Sequence, residues 1–378
     1  MYKEALRPAW VEINLSNLDH NIKILKNKIG SEQEIFGIIK ADAYGHGAYE
    51  VSKVLTANGI KTFGVATLEE AIELREKGVL EEIVLVALTP DMYASEIVKY
   101  DITPVTCSYE NATAISEEAK KAGKTISGFV VVDSGMGRIG FLPDDPNSIS
   151  EIKKIADLPN FKIRGLFSHF ATAGDADKSY ANEQERVYAD FHKKLKEAGV
   201  DIGFCTLANS GAIMQLSDSF YDAIRPGILL YGCYPSDEIS HDGFSIKPVM
   251  SVKATIVQLK KIKPGVSIGY GRRFVAKRDS LIATINVGYA DGYPRLYSPN
   301  AKAIVNGVVV PLAGTICMDQ CMIDVTDAPN VKQGDEVILM GSDGKNTISA
   351  EDIARAVDTV NYEILCSFGQ RLPKVFVK

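Results

Sequence analysis

An alternation of short β-branched runs with amphipathic helical stretches fills the first two thirds of the chain and limits the folds open to it. The alternation repeats about eight times, which is typical of βα units in a parallel sheet. Eight such units close into a (β/α)8 TIM barrel of about 250 residues, whereas the alternative is a doubly wound open sheet. The strands are predicted over residues 34–41, 62–67, 82–88, 102–107, 128–134, 163–169, 204–209 and 223–230.

The sequence changes character after about residue 240. Strand-like runs are separated there by turn sequences such as KPG, VNG and SDGK, with one short helix predicted near residues 349–357. A chain of 378 residues also exceeds the roughly 250 to 300 residues at which a single core stops growing. We therefore expect an α/β barrel domain over residues 1–240 and a mainly β domain over residues 241–378. About the first 10 residues lead into a strand-like stretch that could join the β domain.

Composition excludes several classes of function. The net charge of −6 argues against a general nucleic-acid or anionic-membrane binder, which needs a basic face. No apolar stretch approaches the roughly 18 residues that span a bilayer, and the N-terminus lacks the apolar region of a signal peptide. Six scattered cysteines without a CxxC pair are typical of reduced thiols, so we expect a cytoplasmic protein. The five histidines show no HExxH spacing, so no metal is expected.

Lys40 lies directly after an apolar run that is predicted to be a buried strand, in the sequence GIIKADAYGHG of residues 37–47. Burying an ammonium group costs several kcal/mol unless the group is paired or used. A snorkelling side chain at a barrel rim and a reactive amine both fit this position. The stretch alone leaves the two alternatives open.

Further polar residues follow other predicted strands, and the carboxyl ends of barrel strands meet at one mouth. Each has a structural alternative: His169 as a core histidine, Arg138 as a loop cap and Ser210 as a helix N-cap. Their joint position at one face favours a functional site. The candidates besides Lys40 are Tyr44, Arg138, His169, Asn209, Ser210, Arg225 and Gly227.

Two of these positions indicate a phosphate site. Ser210 begins a predicted helix, and Gly227 leaves a backbone amide that a ligand can approach closely. Such amides bind phosphate, and a phosphate site after the seventh and eighth strands recurs in barrels. A lysine across the mouth from a phosphate site suggests a phosphorylated aldehyde cofactor held as a Schiff base. Pyridoxal phosphate fits this description.

Eight short motifs follow one another along almost the whole chain in the order found in one enzyme family. They are KADAYGHG, MGRIGF, HFATA, LANSGA, RPGILLYG, GYGRRF, GYADGYPR and GTICMDQCMIDVT. One such motif is moderately specific, and eight in register are strong evidence. By these motifs the chain resembles the alanine racemases, which are barrel-type (fold type III) pyridoxal-phosphate enzymes.

The resemblance implies a cofactor role for the residues at the barrel mouth. Lys40 would hold pyridoxal 5'-phosphate as a Schiff base, and Arg225 would face its pyridine nitrogen. His169 would bridge towards the catalytic tyrosine, Tyr270. The phosphate would be contacted by Tyr44, Ser210 and the amides of Gly227 and Ile228, with Asn209 completing the cofactor set.

The resemblance also implies a homodimer with shared active sites. Tyr270 and Met318 would arrive from the partner subunit, and Arg138 with the backbone of Met318 would meet the substrate carboxylate. The implied partners are therefore a second copy of the chain and a small amino acid, without nucleic acid or membrane. The entrance of the pocket would be bordered by Tyr289, Asp319 and Gln370.

The implied reaction is the racemisation of alanine, which supplies D-alanine for peptidoglycan. A free amino acid does not release its α-hydrogen at neutral pH, and the cofactor delocalises the resulting carbanion. Racemisation needs a proton acceptor on one face and a donor on the other. Lys40 would serve one face and Tyr270 the other, each with its pKa lowered from about 10. Positive charge from Arg225, His169 and the cofactor would favour the tyrosinate.

Two positions depart from the family pattern. Val131 stands where the family commonly carries a carbamylated lysine that steadies the substrate arginine, so the support of Arg138 is open. Gln370 stands where the family usually has a tyrosine beside the pocket. A broader racemase for alanine and serine is therefore an alternative, and neutral drift at this position is another.

Three other functions share part of the pattern. A barrel-type amino-acid decarboxylase would need a substrate-binding constellation different from GYGRRF and CMDQ. A non-enzymatic pyridoxal-phosphate barrel protein would have no use for a second domain of roughly 130 residues. A Schiff-base aldolase without a cofactor would lack the visible absorbance of bound pyridoxal.

Overall fold

The computed structural model describes residues 7–30, 33–200, 202–369 and 371–378. The first elements are β1 (Ala9–Asn14) and α1 (Leu15–Ile29), and a ring of parallel strands follows. Each strand of the predicted barrel is present, with the bounds β2 (Glu34–Ile38), β3 (Thr62–Val65), β4 (Glu82–Leu85), β5 (Val105–Thr106), β6 (Ile126–Val131), β7 (Phe161–Phe167), β8 (Cys205–Asn209) and β9 (Ala223–Arg225).

The ring of strands is closed. Its hydrogen-bonded order is β4-β3-β2-β9-β8-β7-β6-β5, so β4 and β5 are the two ends. Thr103, just before β5, forms a parallel bridge with Val84 of β4, and the N–H of Leu85 donates to the Thr103 carbonyl at 2.9 Å. The TIM barrel is therefore confirmed, and the open sheet is excluded.

The barrel interior is a packed core. Phe36 stacks on Phe204 with ring centroids 5.6 Å apart, and Phe129 meets both rings edge-on. At the amino ends of the strands, the guanidinium of Arg164 lies over the Phe204 ring and 3.6 Å from the carboxylate of Glu82. Because this end is filled, a ligand reaches the barrel from the carboxyl ends of the strands.

Helices and helical turns connect the barrel strands; most cover the outside of the ring, whereas the two short ones that begin at Lys40 and Ser210 lie at its mouth. Their apolar faces pack on the strands, as Leu18, Ile22 and Leu25 of α1 do. These elements are α2 (Lys40–Tyr44), α3 (Ala48–Ala57), α4 (Leu68–Glu76), α5 (Ala94–Lys99), α6 (Tyr109–Lys121), α7 (Ser148–Ala156), α8 (Ser179–Glu197) and α9 (Ser210–Gln215).

A second sheet, built mainly of antiparallel strands, forms the rest of the chain. Its central strand is β10 (Met250–Ile262), which pairs along its length with three neighbours. The other elements of this part are β11 (Ser267–Ile268), β12 (Phe274–Val275), β13 (Ser280–Ile285), β14 (Lys302–Val305), β15 (Val308–Pro311), β16 (Cys321–Asp324), β17 (Glu336–Ser342), β18 (Thr347–Ile348), α10 (Ala350–Val357), α11 (Asn361–Ser367) and β19 (Lys374–Val377).

The strand β1 belongs to this second sheet and not to the barrel. It lies between β10, with which it is antiparallel, and β19, with which it is parallel. The chain therefore crosses between its two parts once after β1 and again after the barrel. The boundary that the sequence predicts between residues 240 and 241 stays a prediction.

Within the described ranges, none of the helices combines the length and apolarity that crossing a bilayer requires. The same part of the chain holds no cluster of three or more His, Cys, Asp and Glu side chains that could bind a metal ion. The expected cytoplasmic location and the expected lack of a metal stay predictions.

Candidate active site

Lys40 lies between the end of β2 and a turn with left-handed backbone conformation. Residues 41–44 all have φ between 52° and 56°, the left-handed helical conformation. For residues other than glycine this conformation costs about 1–2 kcal/mol each. The N–H of Ala43 donates to the Ile39 carbonyl at 2.8 Å, and that of Gly45 donates to the Ala41 carbonyl at 2.9 Å. The turn leaves Lys40 and residue 44 lining the same cavity.

Side chains from both parts of the molecule hold this turn. The carboxylate of Asp42 forms an ion pair with Lys374 of β19 at 2.8 Å. Nδ1 of His46 lies 2.8 and 3.0 Å from the carbonyls of Ala43 and Tyr44. Because carbonyl oxygens only accept hydrogen bonds, Nδ1 carries the proton and donates. The strained turn is therefore fixed by contacts outside it.

Tyr44, Ser210 and Gly227 form a polar corner of the mouth. The N–H of Gly227 donates to Oγ of Ser210 at 3.0 Å, which leaves the hydroxyl hydrogen of Ser210 free to donate. A Cβ on residue 227 would lie 2.5 Å from Oη of Tyr44, so glycine is required. Burial raises the pKa of Tyr44 well above its usual value, and the phenol stays a neutral donor. The corner thus offers two hydroxyl donors to an anionic ligand.

Asn209 and Ile228 support this corner from the backbone side. Oδ1 of Asn209 accepts the N–H of Ala212 at 3.1 Å and so caps α9, which begins at Ser210. Ile228 is fully buried and follows Gly227 directly. Both residues line the cavity with Lys40, and the side chain of Asn209 binds the local backbone.

Arg225 is a buried cation, with 3% of its surface exposed. Its Nη1 donates to Oγ1 of Thr206 at 2.7 Å, and its Nη2 donates to the Ser168 and Leu207 carbonyls. These partners are neutral, and the guanidinium also lies 4.0 Å from the centroid of the Phe167 ring. Burial lowers the pKa of Arg225 to about 9, so the group stays charged at neutral pH.

His169 sits beside this cation and is uncharged. Nη2 of Arg225 lies 3.3 Å from Nδ1 of His169. Burial and then the charge of Arg225 lower the pKa of His169 well below its usual value, with Arg138 and Lys40 acting in the same direction. The imidazole therefore contributes a hydrogen bond at neutral pH and no positive charge, unlike the expectation from sequence.

The Lys40 amine loses its proton more readily than an ordinary lysine. Burial is the largest cause of its lowered pKa, and the guanidinium of Arg138 lowers the pKa further. Glu70 and Cys366 oppose this shift. An unprotonated amine is the nucleophilic form, so the cavity favours attack on a carbonyl carbon.

One cavity of about 820 Å³ collects these groups at the carboxyl ends of the barrel strands. Its volume lies within the range of about 300–1,000 Å³ typical of small-molecule sites. The sequence-predicted residues that line it are Lys40, Tyr44, Arg138, His169, Asn209, Ser210, Arg225, Gly227 and Ile228.

Arg138 lies at the open side of the cavity, and its side chain is exposed. Val131, the last residue of β6, is buried, with 3% of its surface exposed. A valine at this position supplies no hydrogen bond to a guanidinium, so the question of what supports Arg138 stays open.

The remaining predicted residues lie apart from Lys40. Tyr270 and Met318 are 72% and 52% exposed, and with Asp319 they line a separate depression of about 540 Å³ on the β domain. Asp319 is held there by Arg371 at 2.8 Å. Tyr289 is also exposed, and it lines neither this depression nor the Lys40 cavity. The prediction for Gln370 falls outside the described residues.

Several residues at the site carry no local sequence signal. Thr206 looks like an ordinary strand residue, and Glu70 like the acidic residue of a helix first turn. Tyr362 and Cys366 come from α11, an element that the sequence did not predict, and line the Lys40 cavity. These four residues are recognised by their contacts alone.

Comparison with protein families gives two matches that together span most of the chain. Residues 13–235 match the family model "Alanine racemase, N-terminal domain", and residues 249–376 match "Alanine racemase, C-terminal domain". Among curated relatives, the alanine racemase of Clostridium kluyveri is 48% identical over 372 residues, which are 98% of this chain and 95% of that protein. The alanine racemase of Clostridium novyi is 45% identical, with 100% and 97% covered.

Solved structures agree with these matches. An alanine racemase of Clostridium difficile superposes with a TM-score of 0.94 at 40% identity, covering 99% of this chain and 96% of that one. An alanine racemase of Bacillus anthracis with bound L-Ala-P superposes with a TM-score of 0.91 at 32% identity, covering 99% and 96%. The chain therefore belongs to the alanine racemase family, whose enzymes interconvert L-alanine and D-alanine.

Proposed function

We propose that the cavity holds pyridoxal 5'-phosphate on Lys40 and that the racemisation uses two bases supplied by two subunits. Nζ of Lys40 would take or return the α-proton of alanine on one face. Oη of Tyr270, from a second copy of the chain, would do so on the other face. Arg138 would bind the substrate carboxylate, together with the backbone of Met318 from the second copy.

The residues of the cavity fit this cofactor. The phosphate suits the corner of Tyr44, Ser210 and Gly227, where two hydroxyls can donate and a Cβ would block the approach. The aldehyde suits the Lys40 amine, whose pKa is lowered. When bound, the cofactor supplies a conjugated system that delocalises the electrons left by the departing α-proton.

Arg225 would face the pyridine nitrogen as a hydrogen-bond donor. Its pKa of about 9 keeps the guanidinium protonated at neutral pH, so it would donate a hydrogen bond without giving up the proton. A ring nitrogen that stays unprotonated is a weaker electron sink, which favours return of the proton to the α-carbon over transamination. The neutral partners of Arg225 leave its charge available to the ligand.

The observation that carries the proposal is the separation of the two half-sites within one chain. Lys40 and Arg138 line the barrel cavity, whereas Tyr270 and Met318 line an exposed depression on the other domain. Tyr270 and Met318 are 72% and 52% exposed and line the same depression, and large exposed apolar side chains that lie together mark interaction sites. A homodimer that lays one half-site over the other would complete two equivalent sites.

Mixing two inactive variants tests this arrangement. Lys40→Ala and Tyr270→Ala proteins are each expected to be inactive. A mixed dimer would contain one site with an intact lysine and an intact tyrosine, so random mixing should restore about a quarter of the wild-type activity. Tyr93→Ala removes an exposed tyrosine that lines neither of these two pockets, and mixing it with Lys40→Ala in the same way controls for a general effect of losing an exposed tyrosine.

The opposite outcome is equally specific. If the tyrosine acts within its own chain, both sites of a mixed dimer lack one base and mixing restores no activity. Borohydride reduction of the holoprotein followed by peptide mass spectrometry tests the cofactor separately, with the adduct expected on Lys40. An adduct on another side chain would contradict the proposal.

A further inference from the structure

The carboxylate of Glu70 contacts the left-handed turn of residues 41–44, which follows Lys40. Its Oε1 accepts the backbone N–H of Ala41 at 2.5 Å, and its Oε2 accepts those of Ala66 and Thr67 at 2.7 and 3.1 Å. Ala41 is the first left-handed residue after Lys40, whereas Ala66 and Thr67 follow β3, the neighbour of β2. One side chain therefore joins the ends of two adjacent barrel strands at the mouth.

Part of this arrangement is an ordinary helix cap. Thr67 and Glu70 form a capping box at the start of α4, in which the Glu70 side chain accepts the Thr67 N–H. Ser349 and Asp352 form the same box at the start of α10. The contact of Glu70 with Ala41 is additional to the box, so capping does not account for it.

The turn after Lys40 needs an anchor of this kind. Four successive residues other than glycine hold a left-handed conformation there, each against a preference of about 1–2 kcal/mol. A carboxylate that accepts a backbone N–H forms a charge-assisted hydrogen bond, which is stronger than a neutral one. The Ala41 N–H belongs to the peptide that contains the Lys40 carbonyl. Fixing that peptide limits the direction in which the lysine side chain leaves the backbone.

The same carboxylate acts on the amine through its charge. Burial and Arg138 lower the pKa of Lys40, and the negative charge of Glu70 opposes them, as does Cys366. The side chain of Glu70 is only partly buried, so solvent weakens this influence. Five further titratable groups line the cavity, and they are Tyr44, His169, Asp175, Arg225 and Tyr362.

We propose that Glu70 is a positioning residue for Lys40, anchoring the peptide that follows the lysine and placing a negative charge near its amine. The inference rests on the proposed role of Lys40 as the cofactor-binding amine. Glu70 lies in α4 and does not line the cavity, yet in this proposal it influences both the orientation and the pKa of Lys40.

The test compares Glu70→Gln, which removes the charge, with Glu69→Gln, which removes the exposed carboxylate one residue earlier on α4. In the protein freed of cofactor, the pH dependence of trinitrobenzenesulfonate labelling of Lys40, followed by peptide mass spectrometry, reports the pKa of the amine. Glu70→Gln is expected to lower this pKa by about half a unit or more, because a nearby negative charge is lost. Glu69→Gln is expected to leave it unchanged.

Two further variants separate the anchor from the charge and from the cap. Glu70→Asp keeps the charge but shortens the reach to Ala41, so pyridoxal 5'-phosphate affinity should fall about threefold or more. The pKa of Lys40 should stay near the wild-type value in this variant. Asp352→Asn removes the matching cap residue of α10 and should change neither cofactor affinity nor the Lys40 pKa.

The inference is overturned if Glu70→Gln and Glu69→Gln give the same pH profile and Glu70→Asp binds the cofactor as wild type does. Borohydride reduction of the wild-type holoprotein distinguishes this failure from that of the proposed function. An adduct on Lys40 with equal profiles removes only the role of Glu70, whereas an adduct elsewhere removes the role of Lys40 as well.

Discussion

Arg225 fixes the tautomer of His169. Nη2 of Arg225 has only N–H groups to offer, so Nδ1, 3.3 Å away, accepts a share of one N–H that also points at a backbone carbonyl. The proton of the neutral imidazole therefore resides on Nε2. An N–H at that position can donate to a phenolate, which would stabilise the ionised form of a tyrosine brought to the cavity.

Tyr270→Phe should damage one direction of proton exchange far more than the other. If Tyr270 and Lys40 serve opposite faces, loss of the phenol should slow exchange on one face by about 10²–10⁴-fold. The measurement is solvent-deuterium uptake into each enantiomer of alanine. Tyr93→Phe is the matched control on an exposed tyrosine that lines neither pocket. Equal losses in both directions would argue against separate bases.

Gly227→Ala should weaken cofactor binding. The added Cβ would lie 2.5 Å from Oη of Tyr44 and would displace one of the two hydroxyls at the proposed phosphate corner. We expect the affinity for pyridoxal 5'-phosphate to fall about tenfold or more, equivalent to about 1.4 kcal/mol. Spectroscopic titration of the cofactor-free protein measures it. Gly203→Ala, where a Cβ meets nothing within 4 Å, should bind as wild type does.

Thr206→Val should destabilise the buried cation. Oγ1 of Thr206 accepts from Nη1 of Arg225 at 2.7 Å and donates to the Ala223 carbonyl at 2.9 Å. Valine preserves the shape but leaves a charged N–H without its acceptor, which costs about 2 kcal/mol. The melting temperature should fall by about 2–4 °C, as measured by calorimetry. Thr206→Ser keeps the hydroxyl and should recover most of the loss, whereas equal losses in both variants would contradict this account.

His46 should make the protein less stable as the pH falls from 7 to 5. Burial lowers the pKa of His46 to about 4, and within the residues that the structure describes its Nε2 has no hydrogen-bond partner. Between pH 6.5 and 4 the His46 side chain is protonated in the unfolded chain but stays neutral in the folded chain. The free energy of unfolding therefore decreases as the pH falls. The loss between pH 7 and 5 is about 2 kcal/mol.

His46→Asn isolates this contribution. The asparagine amide can donate to the same carbonyls as Nδ1 but does not titrate. Urea unfolding of both proteins at pH 7 and pH 5 gives the comparison. Between pH 7 and pH 5 the free energy of unfolding should decrease more in the wild type than in the variant. An equal decrease in both proteins would refute the role of His46.

Features with a local signature were predictable from sequence. The barrel follows from the repeating alternation of strand and helix, and the set around Lys40 follows because strand ends of one barrel share a mouth. The partner of β1 was not predictable, since a single strand-like stretch does not specify which distant strand it joins. Thr206 and Glu70 were missed for the same reason, because their importance lies in contacts with residues 19 and 29 positions away.

The place of β1 between β10 and β19 has a consequence for biosynthesis. A ribosome makes β1 before the barrel, yet both edges of that strand stay unpaired until residues 250 and 374 have been made. The barrel can form while translation continues, whereas the second sheet must wait for the last strand. A nascent chain that stalls before β19 would carry an open β-edge, which is a template for aggregation.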